Sequence, residues 1–130
     1  MAIEQKKIMI VDDDVDYVLQ LTMILEHAGY LVKSAHTRKD GVELFPIFFP
    51  DLAIIDLMME QMDAGFMLAY ELKKLKAELP VIMITSVTAE TGMYFEESSR
   101  STNHWMKADA MLSKPVRPEQ LLKEVERLMK

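Results

Sequence analysis

Three aspartates in a row, Asp12, Asp13 and Asp14, close the apolar run IMIV, and a fourth follows at Asp16. A second apolar run, LAII, ends in Asp56, and a third, VIMI, ends in Thr85 and Ser86. A shorter one, AML, leads into Ser113-Lys114-Pro115. Carboxylates brought within a few ångströms of one another cannot all stay ionised without compensation. A hard divalent cation supplies it, and Mg²⁺ takes one or two carboxylates plus a phosphate while keeping several waters. The chain has no cysteine and no histidine beside these run ends, which disfavours zinc and copper. Lys114 adds a fixed positive charge, and the Thr85 hydroxyl can donate to a phosphoryl oxygen. An aspartate can itself be the nucleophile, forming an acyl phosphate. Asp56 stands alone and suits that role, whereas Asp12 and Asp13 form a pair suited to a metal. Together these groups make a phosphoryl-transfer site.

Taken singly, each residue has a plainer reading. Asp14 or Asp16 suits a helix N-cap. Asp56 and Thr85 could be turn residues, and Lys114 a solvated lysine. What favours the site is that all of them stand at the same end of successive apolar runs.

The elements that must carry them follow from periodicity. Residues 7–12 are short, apolar on both faces and β-rich, as a central parallel strand should be. Helical spacing takes over at 15–28, through Val15, Val18, Leu19, Thr22 and Leu25, and Gly29 provides the stop. A weaker strand spans 31–35. A short helix spans 39–45, disturbed by Pro46 and closed by Pro50. Strand 52–56 precedes an amphipathic helix at 64–77, with Phe66, Leu68, Leu72 and Leu75 inward. Strand 81–84 follows Pro80, 88–107 is polar and partly helical, and 110–112 is a short fifth strand. Pro118 opens a last helix with Leu121, Val125 and Leu128 on one face and Leu122 and Met129 beside them. Strands alternating with helices predict an α/β fold: a doubly wound five-stranded parallel sheet, flavodoxin-like order 2-1-3-4-5, with five helices on both faces. In such sheets ligands bind outside the carboxyl ends of the strands, where the order reverses. The strands bordering that cleft are the ones ending in Asp12-Asp13, Asp56, Thr85 and Lys114.

Bulk properties narrow the class. At 130 residues the chain suits one domain. A net charge of −6 argues against non-specific binding to nucleic acid or an anionic membrane. No apolar run approaches the ~20 residues of a membrane span, and MAIEQKK lacks the apolar core of a signal peptide, so a cytoplasmic location is expected. Twelve methionines read as flexible core filling. His27 and His36 read as structural.

At IMIVDDD, PDLAIIDLMM, PVIMITS and MLSKPV, in this order along nearly the whole chain, the sequence resembles the receiver domain of two-component response regulators. The resemblance implies a single receiver domain over 1–130, with 1–6 as an N-terminal extension and 86–109 a longer than usual fourth-helix region. It implies that Asp56 accepts phosphate from the phosphohistidine of a sensor histidine kinase or a histidine phosphotransfer protein. Mg²⁺, with Mn²⁺ as a substitute, would be held by Asp12, Asp13, Asp56 and the backbone carbonyl of Met58. Lys114 would pair with the phosphoryl group, Thr85 would act as the switch, and Ser86 would leave the group accessible. The Lys114–Pro115 peptide is expected to be cis. Such a domain is not a conventional enzyme, yet it catalyses its own aspartyl phosphorylation and dephosphorylation, and the surface of the fourth helix and fifth strand then repacks. The downstream effector would be a protein, with no direct contact to nucleic acid or membrane and a phosphorylation-dependent homodimer as one output. No DNA-binding or enzymatic output domain is expected within these residues, whether the domain stands alone or is cut from a larger protein.

Three features depart from the family pattern. Met111 stands where receivers usually carry an aromatic switch residue, a part for which Tyr94, Phe95 or Trp105 could substitute. Glu60-Gln61 replaces Pro-Gly, and Ala64 replaces the glycine after Met62-Asp63. Thr85 to Lys114 is longer than usual by roughly seven residues, about two helical turns. The alternative from the binding-module class is a pseudo-receiver that signals by protein contact without phosphorylation, and the intact set of five site residues argues against it. A third reading, an independent Mg²⁺-dependent phosphohydrolase, lacks a visible substrate pocket or general acid.

Overall fold

A computed structural model describes residues 5–57, 59, 64–85 and 108–129. Five parallel strands, β1 (Lys7–Val11), β2 (Leu31–Ala35), β3 (Leu52–Asp56), β4 (Val81–Thr85) and β5 (Ala110–Ser113), lie in the order β2-β1-β3-β4-β5. Four helices are present among the described residues: α1 (Val15–His27), α2 (Arg38–Phe48), α3 (Ala64–Leu75) and α4 (Pro118–Leu128). The predicted fifth helix, within 86–109, lies almost wholly outside the described residues, so four helices rather than five are seen.

Alternate residues of each central strand enter opposite layers, because side chains along a strand alternate between faces. Met9, Val11, Ala53, Ile55, Val81 and Met83 pack with Phe45 and Phe48 of α2 and Leu68 and Leu72 of α3. Ile8, Ile10, Leu52, Ile54, Ile82 and Ile84 pack with Val18, Leu21 and Leu25 of α1 and Leu121 and Val125 of α4. Every residue of β3 and β4 is buried, which is why those runs are apolar without alternation. Of the described methionines only Met9 and Met83 are fully in the core, while Met23 and Met67 are exposed. Core filling therefore accounts for part of the methionine content alone.

Three local expectations are corrected. The buried face of α1 is Val18, Leu21 and Leu25, whereas Val15 and Leu19 are 61% and 58% exposed. Helix α2 continues through Pro46 to Phe48 and stops at Phe49, which adopts a left-handed conformation with φ 52°. An interior proline costs ~3 kcal/mol. Burying the Phe48 ring, which lies beyond the proline, returns about 1.5–3 kcal/mol, the scale of that cost. In α3, Leu68 and Leu72 point inward as expected, but Leu75 is exposed and Leu79, in the turn before β4, is buried in its stead.

Candidate functional site

Sheet register brings the site together. Val11 pairs with Ile55, Asp56 with Ile84, and Thr85 with Ser113. The next residue of β1 is therefore level with Asp56, and the residue after β5 follows directly on the partner of Thr85. Backbone bonds continue the ladder past the strands: the Lys114 amide donates to the Thr85 carbonyl at 2.7 Å, and the Leu57 amide to the Ile84 carbonyl at 2.8 Å. At the other end of β4, Asp109 accepts from the Val81 amide at 2.8 Å and from Lys73 Nζ at 2.7 Å. That brace ties α3, β4 and the entry to β5 together, fixing where β5 delivers Lys114.

Asp12, Asp13 and Asp56 each offer a carboxylate oxygen within 4.8 Å of the others. Asp12 and Asp56 are buried, at 2% and 5% exposure, and Asp13 is exposed. An all-oxygen set of this charge fits a hard divalent cation and not a soft one. Lys114 Nζ lies 3.1 Å from Asp12 Oδ2 and 3.8 Å from Asp56 Oδ2. Burial works against the ammonium, but the bond to Asp12 and the charges of Asp56 and Asp12 outweigh it and hold the Lys114 pKa above its ordinary value. The Asp12 carboxylate also accepts from the Asp14 amide at 2.9 Å, which shapes the turn into α1.

The aspartate triplet divides as its chemistry requires. The Asp14 side chain accepts from the Tyr17 amide at 3.1 Å and caps α1, leaving Asp12 and Asp13 in the cleft. His36 Nδ1 lies 3.0 Å from the Asp12 carbonyl oxygen, a structural contact on the β2 side. His27 is the last residue of α1. Thr85 is buried at the end of β4. The Lys114–Pro115 peptide is cis. Met111, beside Met83 in the sheet, is partly buried against the core layer of α2 and α3. Met58, Ser86, Glu60 to Asp63, Tyr94, Phe95 and Trp105 lie outside the described residues.

Two residues at the site were not singled out from the sequence. Gly65 donates from its amide to the Leu57 carbonyl at 3.1 Å. A methyl there would overlap the Asp56 carbonyl oxygen and lie 2.6 Å from Leu57 Cα, so α3 starts against the backbone that carries Asp56. Its neighbour Ala64 is buried at the first position of α3. The second is Tyr17, whose ring centroid is 4.5 Å from Lys114 Nζ. An aromatic residue one helical turn past Asp13 was the only sequence signal for it.

The model of the response regulator receiver domain family matches residues 8–126, and the chain belongs to that family. A receiver domain protein of Methanospirillum hungatei, described as CheY-like, is 34% identical, with a TM-score of 0.80 over 96% of this chain and 94% of that one. The alkaline phosphatase synthesis transcriptional regulatory protein PhoP of Bacillus subtilis is 27% identical over 96% of this chain and 49% of its own length. Response regulator SaeR of Staphylococcus aureus is 26% identical over 94% of this chain and 50% of its own. The chain thus spans about half the length of the curated relatives it matches. No helix among the described residues is long and apolar enough to cross a membrane.

Proposed function

We propose that this chain is a phosphoacceptor receiver domain in which Asp56 takes a phosphoryl group from a phosphohistidine, borne by a sensor histidine kinase or a histidine phosphotransfer protein. The observation that carries the reading is the clustering of Asp12, Asp13 and Asp56 around a cleft that also holds Lys114. Family membership supports it. One Asp56 carboxylate oxygen forms the bond to phosphorus as the phosphorus–nitrogen bond breaks, and the electron pair leaves on the donor imidazole. Lys114, already 3.8 Å from Asp56, neutralises charge on the transferred group. Asp12, Asp13 and Asp56, with the Met58 backbone carbonyl as a further ligand, would hold Mg²⁺, which would supply the remaining charge neutralisation. The Lys114 amide bonds to the Thr85 carbonyl, so the segments that carry the cation and the hydroxyl are direct neighbours. The modified Asp56 carries added charge and acceptor oxygens, and Thr85 follows them, repacking the face formed by residues after β4 and by β5. The downstream effector is a protein, the location is cytoplasmic, and residues 1–130 act as one unit.

Intact-mass spectrometry of the protein incubated with acetyl phosphate tests the reading. One phosphoryl adduct is expected with Mg²⁺, and none with EDTA or in Asp56→Asn. An unmodified wild-type protein, as a pseudo-receiver would give, contradicts it. Steady hydrolysis of many phosphate esters would point to a phosphohydrolase instead.

A further inference from the structure

Tyr17 takes no part in the chemistry proposed above, yet it touches Lys114 and the turn that carries it. Its ring faces the ammonium with a centroid distance of 4.5 Å. Its hydroxyl oxygen accepts from the Val116 amide at 3.3 Å, two residues past the lysine. The Asp14 cap, bonded to the Tyr17 amide, fixes the first turn of α1 and with it the origin of the side chain. A lysine stem has four rotatable bonds and needs external contacts to settle on one geometry. Asp12, the nearer carboxylate at 3.1 Å, draws the ammonium away from Asp56 at 3.8 Å and belongs to the set that suits a metal. An aromatic face attracts a cation through its quadrupole and carries no net charge. It can therefore hold the lysine without taking a carboxylate from the metal. Burial, the largest influence on the Tyr17 phenol, keeps it protonated beyond its ordinary range, so the ring stays neutral.

We infer that Tyr17 is a positioning residue for Lys114: the ring seats the ammonium at the carboxylate cleft, and the hydroxyl anchors the turn that delivers it. The inference rests on the reading of Asp56 as phosphoacceptor, and its test separates the two.

Tyr17→Leu and Tyr17→Phe are compared with wild type, each also in a Lys114→Met background. In the metal-free protein, the Lys114 ε-methylene protons are expected upfield of a free lysine in wild type and Tyr17→Phe, and back at the free value in Tyr17→Leu. At saturating Mg²⁺, phosphorylation by acetyl phosphate should slow about fivefold or more in Tyr17→Leu, the scale of a half-buried cation–aromatic contact. Tyr17→Phe should recover most of the rate. Mg²⁺ affinity should stay within about twofold in both, which a general collapse of the site would not allow. In Lys114→Met, adding Tyr17→Leu should change the rate by less than twofold. An equal loss in both backgrounds, equal losses for Phe and Leu, or unshifted lysine protons in wild type would overturn the inference. If Tyr17→Leu does not fold, Tyr17→Met, which also lacks ring and hydroxyl, carries the same comparison. A wild-type protein that takes no phosphate overturns the function proposed above, and the lysine proton shifts then decide the contact by themselves.

Discussion

Asp13 differs from its neighbours in what holds it. Asp12 and Asp56 are buried and face Lys114, whereas Asp13 is exposed and adds a third negative charge within 4.8 Å of the other two. Removing that charge relieves repulsion in the folded state and weakens the cation site at the same time. Asp13→Asn is therefore expected to leave stability unchanged or raise it by up to ~1 kcal/mol, as charges at a surface allow. It should also weaken Mg²⁺ binding by about tenfold or more. Urea unfolding and calorimetric Mg²⁺ titration read the two effects separately, and a loss of stability with metal affinity intact would contradict the assignment. At this scale the sequence was informative because charge at the end of an apolar run is conspicuous. Tyr17 was not, since a tyrosine in the first turn of a helix looks like ordinary surface until the fold sets Lys114 over its ring.

Helix α1 shows where periodicity runs out. It carries apolar residues around more than half its circumference, so two stripes, Val18-Leu21-Leu25 and Val15-Leu19-Met23, both satisfy helical spacing. Only packing against Ile8, Ile10 and the α4 residues decides which is buried. Leu21→Ala should cost ~2–5 kcal/mol, while Leu19→Ser should stay within about 0.5 kcal/mol, both read from urea midpoints. The reverse ranking would mean that the helix is rotated from the arrangement described. Strands were easier to read, because full burial on both faces leaves uninterrupted apolar runs in β1, β3 and β4. The α2 boundary was not, since the benefit of burying Phe48 lies beyond Pro46 and is invisible locally. Gly65→Ala should cost on the order of 2–4 kcal/mol, because the methyl meets backbone of Asp56 and Leu57, which cannot rotate away as a side chain can. Thermal unfolding monitored by circular dichroism measures it, and a neutral result would place α3 further from β3.

Among the described residues, Tyr17, Tyr30 and Lys114 all hold their protons more tightly than usual. Burial raises Tyr17 and Tyr30, the latter with help from Glu126, and Lys114 is raised by its carboxylate neighbours against the effect of burial. A group held above its unfolded pKa stabilises the fold fully below that unfolded value, and the contribution disappears as pH rises through the folded one. The unfolded values are near 10.0 for tyrosine and 10.5 for lysine. Stability should thus be insensitive to these groups from about pH 7 to 9 and fall above about pH 10. The fall should be shallower in Lys114→Met and in Tyr30→Phe, measured as urea midpoints against pH, and an equally steep fall in both variants would contradict these assignments. The parallel order β2-β1-β3-β4-β5 was legible because alternating strand and helix patterns leave few right-handed solutions.

Which residue takes the phosphate decides the function of the site. Borohydride reduces an aspartyl phosphate to an alcohol, converting the modified aspartate into homoserine at a position that peptide mass spectrometry can locate. After treatment with acetyl phosphate and Mg²⁺, homoserine is expected at residue 56 and intact aspartate at residues 12 and 13. Conversion at either of those two positions, or at none, would contradict it.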